Sequence, residues 1–270
     1  MTTKDSLGDR MKGNYEDRYR ISLTRRMPVI IRIDGKAFHT FTKEFCRPWD
    51  MAMMYSMQDT TKYLCENIMG CQLGYTQSDE ISLLLIDYKK LTSQAWFDYN
   101  LQKICSVAAS MATMAFNDAF RRHALKAENK EYYEEGYDSA YSRKVGLAMF
   151  DARAFNIPES EVCNYFIWRQ QDATRNSIEM LGHHYFTPKE LHKKNCDEIQ
   201  EMLFQKHQIN WGSLARVFKR GACVRKEEVA PGLVDKDGNK VRAKWVVDKC
   251  IPVFTQDREY VEKYLRIDEE

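Results

Sequence analysis

No stretch of the 270 residues approaches eighteen consecutive apolar side chains, which excludes a membrane-spanning helix. The opening segment MTTKDSLGDRMKGNYEDRYR is polar and charged and lacks the apolar centre of a secretory leader, so a soluble, cytoplasmic protein is expected. Eight cysteines are scattered without a CxxC pair, which argues against a zinc cage or a small disulfide framework; reduced, buried thiols fit better. No GxxxxGK[ST] loop and no Ser/His/Asp signature occur, so neither a P-loop enzyme nor a triad hydrolase is indicated. Neither charge sign is in excess: 41 Lys and Arg face 39 Asp and Glu, a net +2. Bulk charge therefore does not hold nucleic acid here, although a local basic groove still can. With 6 prolines, 12 glycines and no repeat or low-complexity tract, there is no linker to divide the chain. What is present is 44% hydrophobic and 12% aromatic residues, enough for a sizeable core.

Pro28-Val29-Ile30-Ile31-Arg32-Ile33 predicts a strand ending at an Asp34-Gly35 turn. Helix formers without proline or glycine fill the stretch from just after Pro48 to Met69. Cys71 to Asp87 places apolar arms around the polar tip Gln77-Ser78-Asp79-Glu80, a β-hairpin. Residues 100–123 form an alanine-rich helix suited to lie close on a sheet, and 127–142 read as an exposed acidic insertion. Residues 145–157 give a strand pair or one bent strand, Pro158-Glu159-Ser160 opens a long helix, and Thr187-Pro188 opens another. A second hairpin brackets Asp235–Asn239. This order predicts an α+β fold: a βαββαβ-like antiparallel sheet with helices on one face, as in ferredoxin-like and palm domains, plus C-terminal helices and a hairpin. One domain covers residues 1–270, with a catalytic core at about 25–182 and an extension at about 183–270.

Asp34 and Asp79 both stand where strands should end, and neighbouring strands would bring them together. Two carboxylates with a backbone carbonyl suit Mg²⁺, which prefers oxygen ligands and keeps sites for substrate phosphates. Glu80 follows Asp79 directly and, in regular strand geometry, faces the other way. Lys36, Phe38 and His39 could form a nucleotide pocket with turn amides on phosphates, but taken alone they read more readily as a core phenylalanine and a hydrogen-bonded turn histidine.

Arg32-Ile-Asp-Gly-Lys-Ala-Phe-His39, Tyr75-Thr-Gln-Ser-Asp-Glu80, Phe150-Asp-Ala-Arg153 and Tyr165-Phe-Ile-Trp-Arg-Gln170 together resemble, in order and interval, the tRNA-histidine guanylyltransferase family. The resemblance continues through Ile209-Asn210-Trp211 and Lys219-Arg220-Gly221. It implies a palm-like polymerase that adds nucleotides in the 3′-to-5′ direction to a tRNA 5′ end, after activating the 5′-phosphate with ATP or GTP. It also implies two Mg²⁺ ions on Asp34, Asp79 and the Gly35 carbonyl, with Glu80 the acidic residue beside them. The nucleotide and its triphosphate would meet Asp34, Gly35, Lys36, Ala37, Phe38, His39, Ser78, Asp79 and Lys103, and Arg153, Arg169 and Asn176 would lie near the RNA. A homotetramer is implied as well. Family members that guanylate tRNA-histidine carry His-Ile-Asn-Asn after Trp-Arg-Gln, where this chain reads Thr174-Arg175-Asn176-Ser177. That difference, with the short 42–48 stretch, resembles the "like protein" branch, which implies repair of 5′-truncated tRNA by copying the opposite strand. The guanylyltransferase proper, a nucleotidyl cyclase and a non-catalytic RNA-binding module are the rivals.

Overall fold

The computed structural model describes residues 6–128, 138–229 and 243–267. Six strands, β1 (Val29–Gly35), β2 (Cys71–Gln77), β3 (Glu80–Leu85), β4 (Phe150–Asn156), β5 (Ala222–Glu228) and β6 (Ala243–Asp248), form one antiparallel sheet in the order β4-β1-β3-β2-β5-β6. Four long helices flank it: α1 (Met51–Asn67), α2 (Leu101–Glu128), α3 (Glu159–Tyr185) and α4 (Cys196–His207). The path β1-α1-β2-β3-α2-β4 gives the inner order β4-β1-β3-β2, the split βαβ arrangement that the hairpin after α1 predicted. The C-terminal hairpin extends the same sheet through β5, which pairs with β2. Its tip, residues 235–239, lies outside the described residues, as does most of the acidic insertion. The segment 145–157 is one strand, β4, entered by a turn.

The expectation of helices on one face is corrected: both faces are covered. Val29, Ile31 and Ile33 of β1 and Ile81, Leu83 and Leu85 of β3 pack against α1 and α2. Ile30 and Leu84, with Leu73 and Tyr75 of β2, pack against Val162, Tyr165 and Phe166 of α3. The physical reason is in the strands themselves, because β1 and β3 carry apolar residues at both parities, as strands buried on two faces do. On α2 the buried positions Ile104, Ala108, Ala112, Phe116, Phe120 and Ala124 recur every fourth residue, and the alanines let the helix lie close to the sheet. The C-terminal half of α3 continues past the sheet edge, where Ile178 and Leu181 form a further cluster with Ile199 and Leu203 of α4. These two halves of α3 leave a cleft beside the ends of β1 and the β2–β3 hairpin.

Candidate active site

β1 and β3 run antiparallel, so β1 ends where β3 begins. Asp34 stands opposite Glu80 of β3 and, on its other side, opposite Asp151 of β4. Two residues back, Arg32 stands opposite Ser82 and Arg153, so a row of three acids lies beside a row holding two arginines on the same face. The hairpin tip is tied to β1 by backbone: the Gly35 amide donates to the Asp79 carbonyl at 3.1 Å. Ser78 takes a positive φ of 50° at the first loop position of that hairpin, a conformation unusual for a residue with a side chain, and its hydroxyl donates to Asp79 Oδ1 at 3.0 Å. Burial raises the proton affinity of the Asp79 carboxyl, the Ser78 hydroxyl and a backbone amide oppose that, and the nearby Asp34 charge raises it further. The two carboxylates thus share one electrostatic environment, as the strand-end reading anticipated.

Glu80 is differently engaged. Its Oε2 lies 2.6 Å from Arg32 and 3.2 Å from Arg169, and Arg169 also reaches Asp172 at 2.7 Å. Burial pushes the Glu80 proton affinity up, and the two guanidinium groups pull against it. Trp168 lies over the cluster, with the Arg169 guanidinium 4.0 Å from its ring centroid. Glu80 therefore braces the sheet against α3 beneath the carboxylate pair.

A cavity of about 480 Å³ opens beside Asp79. That size falls within the ordinary range for small-molecule sites. Gly35, Ala37, Phe38, His39, Ser78 and Asp79 line one side of it, and Ala173, Asn176, Ser177 and Met180 of α3 line another. Residues 45–50, with Met53, Met54 and Met57 of α1, supply a largely apolar wall, and Trp49 stacks on Phe218 with centroids 4.7 Å apart. Ala37 has φ 55° and makes no side-chain cap at the turn Phe38–Phe41, where the Thr40 and Phe41 amides donate to the Ala37 carbonyl and those of Phe38 and His39 precede the first intrahelical bond. Phe38 itself is core, 5.0 Å from Phe150 and 5.4 Å from Phe116 by ring centroids. Its ring explains Gly35: a Cβ there would meet Phe38 carbons at 2.3 Å. Gly221 closes the floor with φ +76°, its would-be Cβ 2.3 Å from the Thr76 carbonyl. Behind that floor lie Arg216, Lys219 and Arg220. Burial, then the neighbouring cations, lowers the proton affinity of Lys219 and Arg220.

The structure thus gathers Gly35, Ala37, Phe38, His39, Ser78, Asp79 and Asn176 around one cavity; Asp34, whose charge acts on Asp79, and the exposed Lys36 flank Gly35 in the chain but are not part of the lining. It does not bring Lys103 there. Lys103 sits in the first turn of α2 with its ammonium 4.8 Å from the Phe97 ring, ten residues before Thr113, which receives the Phe150 amide. That is about 15 Å along the helix from Thr113, and no described residue of α2 lines the cavity. Nor does Arg169 face RNA: it is 2% exposed and committed to Glu80 and Asp172. Arg153 is exposed and paired with Asp151 at 3.0 Å. Sequence reasoning passed over Trp49, Phe218 and the 45–50 wall. It also gave no role to Arg32, a charged residue amid a β-branched run, which signals a buried partner.

The family described as tRNA(His) guanylyltransferase (Thg1) matches residues 8–158. An uncharacterised protein of Acanthamoeba polyphaga mimivirus is 30% identical over 83% of this chain and 78% of its own length. Two solved structures are similar over 97% of the chain, both bacterial tRNA(His) guanylyltransferase-like proteins at 44% identity. One is in complex with ATP, with a TM-score of 0.81 over 100% of that chain, and the other with GTP, with a TM-score of 0.72 over 99%. With its strand-end carboxylates beside a nucleotide-sized cavity, the chain belongs to the tRNA(His) guanylyltransferase family of nucleotidyltransferases.

Proposed function

We propose that this protein is a Mg²⁺-dependent 3′-to-5′ nucleotidyltransferase that repairs 5′-truncated tRNA by copying the opposite strand of the acceptor stem, within a palm-like domain. The observation that carries the reading is the nearness of the Asp34 charge to Asp79, which itself lines the 480 Å³ cavity. The donor set fits magnesium: two carboxylates and the Gly35 carbonyl are all oxygen, and no group of three or more metal-ligating side chains is present among the described residues. Magnesium characteristically uses one or two carboxylates and completes its shell with substrate phosphates. When bound, it would neutralise phosphate charge and polarise the attacking hydroxyl. The chain's own part is to seat the purine against residues 45–50, to set the triphosphate against the Ala37–His39 turn, and to hold both carboxylates at a backbone-fixed separation. ATP or GTP would activate the 5′-monophosphate, and the 3′-hydroxyl of an incoming nucleotide would then attack the activated end. The relatives in complex with ATP and with GTP support a cavity that accepts either purine.

Template copying, rather than addition of a single guanosine to tRNA-histidine, is supported by Thr174-Arg175-Asn176-Ser177 on the cavity side of α3. Thr174 there donates to the Lys219 carbonyl at 3.3 Å, and Asn176 lines the cavity. A homotetramer working in the cytoplasm belongs to the same reading, and sedimentation of the purified protein with and without tRNA tests the assembly. The deciding assay supplies Mg²⁺, ATP and all four triphosphates with a 5′-monophosphorylated tRNA lacking its first nucleotide, the opposite base being varied. Incorporation should follow the template base. Guanosine added whatever the template, and only to tRNA-histidine, would overturn the repair reading in favour of the guanylyltransferase proper. Binding without addition would overturn catalysis altogether.

A further inference from the structure

The last part of the insertion after α2 does not project into solvent. The helix Asp138–Ser142 and the two residues after it grip the segment 40–50 at three points. Lys144 Nζ donates to the Thr40 carbonyl at 3.3 Å, Arg143 pairs with Glu44, and the Tyr141 hydroxyl donates to Asp50 Oδ2. Tyr141 is 2% exposed, and its ring lies 4.9 Å from Phe45 and 6.0 Å from Phe120 by centroids. Asp50 is the hub. The same carboxylate accepts the Met53 amide at 2.8 Å, capping α1, and the Cys46 amide at 3.2 Å, closing the loop back on itself. Phe45, Cys46, Arg47, Pro48, Trp49 and Asp50 all line the cavity. One buried phenol therefore reaches the apolar wall both through its ring and through its hydroxyl.

We propose that Tyr141 is a positioning residue for the nucleoside triphosphate: its hydrogen bond to Asp50 and its contact with Phe45 set the shape of the 45–50 wall against which the purine lies. The proposal rests on the reading of the cavity as the nucleotide site. It gives the insertion a task, since the same stretch that leads the chain from α2 into β4, beside Asp34, also holds the far side of the cavity. Tyr141 touches no reacting atom, and its influence passes through Asp50.

The test compares wild type with Tyr141→Phe, Asp50→Asn and the double variant. ATP binding in Mg²⁺ is read by titration calorimetry, and KM and kcat for ATP on a 5′-truncated tRNA by steady-state kinetics. Asparagine still caps a helix, so Asp50→Asn keeps α1 begun while weakening the tie to the phenol. Loss of one buried hydrogen bond should weaken ATP binding about fivefold to tenfold and raise its KM by the same factor, with kcat little changed. The double variant should be no worse than the poorer single one, because both remove the same link. Ile104→Val, a truncation at the far end of the same core, should lower the Tm and leave ATP binding alone. Unchanged ATP affinity in Tyr141→Phe, additive effects in the double variant, or an equal loss of affinity in Ile104→Val would each overturn the proposal. If the wild type itself fails to bind ATP, the cavity reading falls and the proposal with it. That result is distinct from a binding wild type with an indifferent Tyr141→Phe.

Discussion

Arg169 Nη1 and Glu80 Oε2 lie 3.2 Å apart with both side chains sealed from solvent, one from α3 and one from the start of β3. Arg32 approaches the same carboxylate oxygen at 2.6 Å, so Glu80 joins two cations at the seam between helix and sheet, and Arg169 has Asp172 as a second partner at 2.7 Å. Breaking such a pair from one side leaves an uncompensated buried charge, which costs about 3–5 kcal/mol. Glu80→Gln should lose stability on that scale, measured by urea denaturation. Arg169→Ala should do the same, and a loss below about 1 kcal/mol in either variant would contradict the brace.

Asp79 carries the opposite relation between stability and function. Its carboxyl holds its proton more tightly in the folded chain than in the unfolded one, through burial and the Asp34 charge. The native state therefore binds more protons across that window, and the resulting stability is full at low pH and lost as pH rises through the raised value. Asp79→Asn should stabilise the metal-free protein at neutral pH by about 0.5–2 kcal/mol, with the gap to wild type closing toward acid pH. The same variant should lose about a thousandfold in nucleotide addition, and Mg²⁺ should raise the Tm of wild type only. A metal-free variant less stable than wild type at pH 7 would contradict the charge argument.

Gly35→Ala tests a purely steric constraint, because the backbone there is ordinary and the obstacle is the Phe38 ring at 2.3 Å. The added methyl should cost about 1–3 kcal/mol as overpacking. A smaller side chain at position 38 should return part of that loss, seen as a partial recovery of Tm in Gly35→Ala/Phe38→Leu.

Arg153 is exposed and its partner Asp151 is equally so. Arg153→Ala should leave the Tm within the range of an ordinary surface change, about 0.5 kcal/mol. If the residue serves RNA, the KM for tRNA should rise while that for ATP stays put.

The two strand-end carboxylates and the hairpin between them were legible because a β-branched run stopped by Asp34-Gly35, and a polar tip inside an apolar segment, are local signals. The second helical layer was less so. Ile30 and Leu84 already made both faces of β1 and β3 apolar, but only the topology says which helix arrives to cover them. Arg169 shows the limit most clearly. Its place in a Trp-Arg-Gln motif says nothing of whether it faces a phosphate or, as here, a buried glutamate 89 positions earlier. Lys103 marks a second limit, since a motif match fixes a position in the chain and not what its side chain meets in the fold, here the Phe97 ring. The 45–50 wall was invisible for a related reason, because Trp49 meets Phe218 and Asp50 meets Tyr141 only across long loops.

The Gly35 amide on the Asp79 carbonyl, described above as a tie between two strand ends, has a wider meaning for how such a protein can change. That bond ties the turn carrying Asp79 to the end of β1 carrying Asp34, so a slip of β1 against β3 would part them and would also turn both core faces inside out. The base wall, in contrast, is hung from a loop and an aromatic brace that can be altered one residue at a time. In the proposed reading the carboxylates and the base wall thus hang from different elements of the fold, so each can be varied by its own substitutions.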